Sequence, residues 1–332
     1  MNPALFFEKA EDKRVVCHLC PHDCRIAPGK KGVCRVRENE QGDLYSLNYG
    51  KVASWGLDPI EKKPLYNFHP GSLIFSAGTV GCNFHCEFCQ NWEIAQGEPP
   101  LSDVSARQLV RVSAAEERSV GIAYTYSEPL MWYEFVRECS QLAQEKGLKN
   151  VLVTNGFINE EPLKELLPYV DAFNIDVKGF TNDFYRRVVK GRYEPVLDTV
   201  KAAHDYGCHV ELTTLLIPGL NDSEQEIEEL TDWVAAELST DVPLHFSRYY
   251  PSYKMKLAST PVETLERAYE IASRKLNYVY LGNINLPGKA DTYCPACKER
   301  VVKRSGFGVD ITGLDGNKCS FCGAELAIIS GY

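Results

Sequence analysis

No run of this chain stays apolar for the roughly 20 residues that a bilayer-crossing helix needs, so a helical membrane protein is not expected. The N-terminus, MNPALFFEKAEDKR, turns charged too soon for a secretory signal. A cytoplasmic location follows as the expectation. Basic charge is in deficit, with a formal net charge of −9, whereas a nucleic-acid binder needs a positive field. There is no short-period repeat and no low-complexity segment. The remaining composition, 44% hydrophobic and 24% charged over 332 residues, suits one large core with appendages or two modest domains. One local exception stands out: residues 1–37 carry eight Lys/Arg against four Asp/Glu. These cations read as neighbours of thiolate-rich metal sites.

Cysteine is the residue in surplus, at 13, and its distribution is informative. Cys17, Cys20, Cys24 and Cys34 form one group, Cys82, Cys86 and Cys89 a second, and Cys294, Cys297, Cys319 and Cys322 a third. Short clustered spacings in a chain expected to be cytosolic point to metal rather than to disulfides. Cys139 and Cys208 stand apart, on the apolar face of a helix pattern and of a strand pattern, and read as small buried hydrophobes.

The first fifty residues look like a loop-rich, metal-stapled module. A Pro-rich connector, DPIEKKPLYNFHPGS (58–72), follows; it reads as a solvated charged run or as a lid over the mouth of the next unit. Strand and helix patterns then alternate six times. Strands are expected at Leu73–Ala77, Gly121–Tyr126, Asn150–Thr154, Ala172–Val177, His209–Ile217 and Pro243–Ser247. Helices are expected near 86–95, 129–146, 160–168, 182–206, 222–238 and 261–275. Such β-α repetition means parallel strands, in either an open doubly wound sheet or a barrel.

Strand phase favours the barrel. Phe173, Ile175 and Val177 share one face of their strand, and Asn174, Asp176 and Lys178 the other; Val210 and Leu212 oppose His209, Glu211 and Thr213. A strand between two helix layers is apolar on both faces. A polar inner face suits an incompletely closed barrel around a charged ligand.

GCNFHCEFCQNW (81–92) lies just past the first strand, where α/β folds place their chemistry. Its C-x3-C-x2-C spacing supplies three thiolates. A cubane cluster usually takes four Cys ligands, so three leave one iron open. Structural zinc needs four closed ligands, and the available fourth, His85, sits crowded within the same loop.

This loop, with Phe88 before its last cysteine, resembles that of the radical S-adenosylmethionine (SAM) superfamily. The resemblance implies a partial (β/α)6 barrel and a [4Fe–4S] cluster on Cys82, Cys86 and Cys89, with SAM chelating the open iron. One electron from a low-potential donor of flavodoxin or ferredoxin type then cleaves the sulfonium to a 5′-deoxyadenosyl radical, which abstracts hydrogen from a substrate. Ser127-Glu128-Pro129 resembles the Gly-Gly-Glu segment, with Tyr126-Ser127 where the family has its glycines; Glu128 is then the acceptor for the SAM amino group. VTNGF (153–157) is similar to the Thr-Asn-Gly segment of glycyl-radical activases, which places Thr154 and Asn155 along the ribose or methionine side. DVKG (176–179) resembles their Asp-Leu-Lys and places Asp176 and Lys178 near the sulfonium and carboxylate. TTLLIPGLND puts Thr213 where they carry Arg, and Tyr249 or Tyr250 takes the place of a final-strand histidine. Across nearly the whole chain, CxLCPHxC, YGKVASWGLDPIEKKPLYNFHPGS, HFSRYYPSYKM and CPAC…CSFCG resemble, in order, the AmmeMemoRadiSam-system radical SAM enzymes.

CPAC…CSFC pairs two C-x2-C knuckles, the geometry of a tetrahedral four-sulfur site; zinc is expected ahead of rubredoxin-type iron or an auxiliary cluster. The C-x2-C-x3-C-x9-C group at 17–34 suits zinc or an auxiliary cluster. The expected division is thus 1–50 as a Cys-rich module, 51–285 as the barrel and 286–332 as a zinc-ribbon-like module. A glycyl-radical activase and a non-catalytic zinc scaffold are the alternatives to an enzyme acting on an unidentified protein, peptide or small molecule.

Overall fold

In the computed structural model, which describes residues 1–331, the main sheet has eight strands in chain order, and the other strands form small two- and three-stranded sheets. The eight are β1 Ser54–Pro59, β2 Leu73–Gly78, β3 Ser119–Tyr124, β4 Lys149–Thr154, β5 Ala172–Asp176, β6 His209–Leu216, β7 Leu244–Arg248 and β8 Val279–Gly282. β1 runs antiparallel to β2, and every later neighbour pairs in parallel. The order ends at β1 and β8, so the sheet is an incomplete barrel. All six expected strands are present. The two edge strands extend them, and both were missed: β1 carries Gly56 and Pro59, which are weak strand formers.

Six helices matter for the site: α1 Ala106–Ala114, α2 Tyr133–Gln144, α3 Glu160–Leu166, α4 Glu194–Tyr206, α5 Glu224–Glu237 and α6 Val262–Ser273. Helix α1 was not expected, although Ser105 and Gln108 form a capping box at its start, a signal legible in the sequence. The expected helix at 86–95 shrinks to Trp92–Ala95. The expected continuous helix at 182–206 is split: Asn182–Phe184 leads into a π-helical turn, Tyr185–Val189, and Lys190 breaks it with φ +68° before α4 begins. A Cβ on Gly191 would lie 2.3 Å from the Phe84 ring, so the cysteine loop occupies the space that a continuous helix needs. Among the described residues, no helix is long and apolar enough to cross a membrane.

The connector 58–72 is neither solvated nor a lid. Asp58, Glu61 and Lys63 are all buried. After β1 the chain turns through Ile60–Lys62 and runs beneath the polar face of the sheet. The Asn174 amide donates to the Pro64 carbonyl, and the Tyr66 and Asn67 N–H groups donate to Glu211 at 3.0 and 2.7 Å. Phe68 packs with Ile74, Ala123, Val151 and Ala172, near the strands' N-terminal ends. Buried backbone donors need partners, and the polar residues of β5 and β6 supply them. The segment plugs the barrel from below.

Apolar residues of the first fifty, among them Val15, Leu19, Ile26, Val36 and Leu44, pack into the same core as the barrel. The last forty residues keep a small cluster of their own around Val301, Val302, Leu326 and Ile328. They dock onto the plug, through Ile329 N–H to the Asn67 carbonyl at 2.8 Å and Arg304 to the Tyr66 carbonyl at 2.6 Å.

Candidate active site

Beyond β2 the chain enters residues 81–91, the cysteine loop. Gly81 opens it at φ +94°, where a Cβ would lie 2.6 Å from Val36 and 2.9 Å from the Cys34 carbonyl. The loop is held by backbone groups far away in sequence. The split helix frees carbonyls that accept from it: His85 N–H donates to Val189 and Glu87 N–H to Val188, at 3.1 and 3.3 Å. From beyond β7, Ser252 Oγ donates to the Cys89 carbonyl at 3.1 Å, and the Lys254 and Met255 N–H groups donate to the Glu87 carbonyl. Tyr253 stacks on Trp92 with 5.3 Å between rings. Ser252 and Tyr253 are site-building residues that the strand-end motifs did not identify; the run HFSRYYPSYKM was their signal.

Burial pushes the Cys86 thiol up to about 12 and raises Cys82 and Cys89 as well, while nearby Lys178 acts in the opposite sense on Cys86 and Cys89. Thiols so placed become thiolates only alongside a metal, so they read as ligands rather than free nucleophiles. His85 lies against other groups of the fold. Its Nδ1 lies 2.6 Å from Gln96 Oε1 and its Nε2 lies 3.2 Å from the Val33 carbonyl. Both partners are carbonyl oxygens, so a neutral ring donates to one of them and sits against the loop's flank.

Around them, Glu128 is buried and accepts three hydrogen bonds: from Thr154 Oγ1 at 2.5 Å, the Leu130 N–H at 3.0 Å and the Asn155 N–H at 2.8 Å. Burial nonetheless pushes its carboxyl up to about 7. Asn155 turns its amide to the cysteine loop, with Nδ2 3.6 Å from Cys82 Sγ and 2.9 Å from Asn83 Oδ1. Lys178 Nζ pairs with Asp176 at 2.9 Å. Burial alone would lower the pKa of Lys178, but Asp176 and Cys86 raise it, so this lysine is a fixed cation beside the thiols. Tyr126 stands at φ +71°, a region that a bulky residue rarely enters. Its hydroxyl donates to Asp58 at 2.7 Å and its ring lies under Lys63 Nζ, which together hold it there. Ser127 Oγ donates to the Thr79 carbonyl at 2.6 Å.

The other expected residues are placed differently. Phe88 packs against the ring of Phe184. Thr213 stands in register with Asp176 on the neighbouring strand and donates to Asn174 at 3.1 Å. Tyr249 is buried, with its hydroxyl donating to the Met255 carbonyl, and exposed Tyr250 donates to the Asn283 carbonyl.

At the far end of the barrel, Cys294, Cys297, Cys319 and Cys322 converge, with all four sulfurs within 4.8 Å of one another. Cys294 and Cys322 lie 3.7 Å apart and Cys297 and Cys319 3.6 Å apart. Four thiolates at the 2.3 Å zinc–sulfur distance of a tetrahedral site are spaced by about 3.8 Å. The geometry fits a single ion. Among the described residues this is the one group closed to that size, so Cys17, Cys20, Cys24 and Cys34 are not drawn together as tightly.

Residues 77–234 match the family model of the radical SAM superfamily. The chain is 44% identical to the uncharacterized protein MJ0808 of Methanocaldococcus jannaschii, over 99% of this chain and 100% of that protein. It is 26% identical to the pyruvate formate-lyase-activating enzyme of Clostridium pasteurianum, over 46% of this chain and 65% of that one. Among solved structures, Streptococcus suis SuiB bound to S-adenosylmethionine aligns with a TM-score of 0.51 at 16% identity, covering 66% of this chain and 50% of that one. That likeness is one of fold.

Proposed function

The chain belongs to the radical SAM superfamily, and from that premise we propose that it binds a [4Fe–4S] cluster through Cys82, Cys86 and Cys89 and abstracts hydrogen from a protein, peptide or small-molecule substrate. When reduced by one electron, the cluster and SAM together supply a 5′-deoxyadenosyl radical. The chain's own residues bind, orient and shield. Glu128 has an acceptor site left for the SAM amino group after its three internal bonds. Asn155 fixes Cys82 and the Thr154–Phe157 turn, and Lys178 balances the negative charge of the thiolates and of a carboxylate. Ser127, Thr154, Asp176 and Thr213 complete the lining of the SAM side, with Phe88 bracing the loop. The observation that carries this reading is three thiols in one loop beside buried Glu128, Asn155 and Lys178, with the His85 ring set against Gln96 and Val33 at the loop's flank.

The C-terminal quartet takes structural zinc, and the division at residues 50 and 285 follows the three cysteine groups. The order of motifs along the chain supports assignment to the AmmeMemoRadiSam-system type, a cytoplasmic enzyme served by a flavodoxin or ferredoxin. Protein prepared without oxygen, reduced with dithionite and given SAM is expected to release 5′-deoxyadenosine. A reduced cluster visible by EPR that yields none would refute the assignment. Similarity to a pyruvate formate-lyase-activating enzyme favours one second reading, a glycyl-radical activase. A glycine-centred EPR signal on a partner chain is its test.

A further inference from the structure

We propose that Cys17, Cys20, Cys24 and Cys34 hold a second iron–sulfur cluster, placed to feed electrons to the one at Cys82, Cys86 and Cys89; the feeding role rests on the function proposed above. Several features of the molecule support this.

The fold brings the four residues together. Cys17 and Cys24 face each other across paired antiparallel strands, a tight turn from Cys20 to Asp23 carries the third, and Cys34 returns beside them. Buried Arg37 points Nη1 at Cys17 Sγ from 3.9 Å, and the backbone at His22, Val33 and Val36 works against burial to favour the thiolates of Cys20, Cys24 and Cys34. Donors of this kind stabilise thiolates, and in iron–sulfur proteins they tune the potential.

Size separates this group from the zinc-type site. The C-terminal sulfurs sit 3.6 and 3.7 Å apart across their pairs, and the N-terminal ones are not closed to that spacing. A polynuclear cluster spreads its thiolates over a wider shell than one ion does. Cys17, Cys20 and Cys34 are also buried, away from the water that would otherwise solvate a charged group.

Position gives the cluster its use. The Cys34 carbonyl lies against Gly81, one residue before Cys82, closely enough to exclude a Cβ there. His22 Nε2 lies 2.7 Å from the carbonyl of Asn83, one residue after Cys82. His85 reaches the Val33 carbonyl. The two cysteine groups are thus joined on both sides of Cys82. One electron enters from a reduced carrier of the flavodoxin or ferredoxin class, which is oxidised by one electron, and passes on to the SAM site; no bond breaks and no proton moves.

The test is metal content and EPR on the full chain with Cys82, Cys86 and Cys89 all changed to Ala, prepared without oxygen. About four irons and four sulfides per chain are expected, with a dithionite-reduced EPR signal that SAM leaves unchanged. Absence of iron from this variant, with a second zinc in its place, overturns the proposal. The converse variant, Cys20→Ala with Cys24→Ala, is expected to keep a cluster whose EPR signal shifts on adding SAM. If its iron persists but no signal responds to SAM, the earlier functional reading fails instead. In that variant, reduction of the remaining cluster by reduced flavodoxin, followed by EPR, is expected to slow at least tenfold, with dithionite reduction unchanged. An unchanged flavodoxin rate overturns the relay.

Discussion

Replacing Glu128 by Gln keeps the shape of the side chain and changes what its two ends can do. In the wild type, one carboxylate oxygen accepts from Thr154 Oγ1 and the Leu130 N–H, and the other accepts from the Asn155 N–H at 2.8 Å. An amide has one acceptor end. Either the Asn155 or the Leu130 N–H then faces an NH2 group and loses its partner, at a cost of about 1–3 kcal/mol of stability. The SAM amino group loses a charged acceptor at the same time. A hydrogen bond to a charged group is worth about 1.5–3 kcal/mol, or roughly a 10- to 150-fold rise in the SAM dissociation constant. Anaerobic equilibrium dialysis on protein with its full iron content measures this, with thermal melting as the stability control. A Gln variant that keeps its iron and binds SAM within about twofold of wild type would mean that Glu128 is only an internal strut.

Cys86→Ala is expected to abolish 5′-deoxyadenosine formation while leaving the circular dichroism of the barrel unchanged; surviving SAM cleavage would sink the cluster assignment. Cys297→Ala, or treatment with a strong chelator, is expected to remove the ion proposed for the C-terminal quartet. Because metal binding and folding are coupled in such sites, the melting temperature is expected to fall and the docking of Ile329 and Arg304 on the plug to loosen, seen as faster hydrogen exchange at residues 66–69. Gly81→Ala forces a Cβ into Val36 and the Cys34 carbonyl at a backbone angle costing about 1–3 kcal/mol for a non-glycine residue; the as-purified iron content should drop, and full occupancy would refute the crowding argument. Burial alone would raise Glu211, but hydrogen bonds from His209 and His245 bring it down to about 2. A carboxylate depressed on folding stabilises the native state above its unfolded pKa near 4.3, so about 3 kcal/mol is lost as pH falls from there to about 2. Urea titrations across that range test it, and Glu211→Gln should flatten the dependence.

The sequence by itself determined the chemistry that is local. Three thiols within eight residues, and two C-x2-C knuckles, are each constrained by the reach of a short loop, so the candidate groups could be read from spacing. The six core strands were legible as short apolar runs recurring between helix patterns, and β5 and β6 alternate apolar and polar residues as well. Phe173 and Ile175 against Asn174 and Asp176 is the clearest case. What tertiary structure decided were the contacts that backbone groups make when their local partners are removed. The break of the expected helix at Lys190 freed the carbonyls of Val188 and Val189, and only the folded chain shows that the cysteine loop takes them. The charged connector reads as solvated until Asn174 and Glu211, more than a hundred residues downstream, are seen to receive it. The same holds for His85, a candidate ligand in the sequence, whose ring the fold sets between Gln96 and Val33. Side-chain type and spacing fix which groups can bind, but the pairing of buried polar groups across the fold settles which of them remain free to do so.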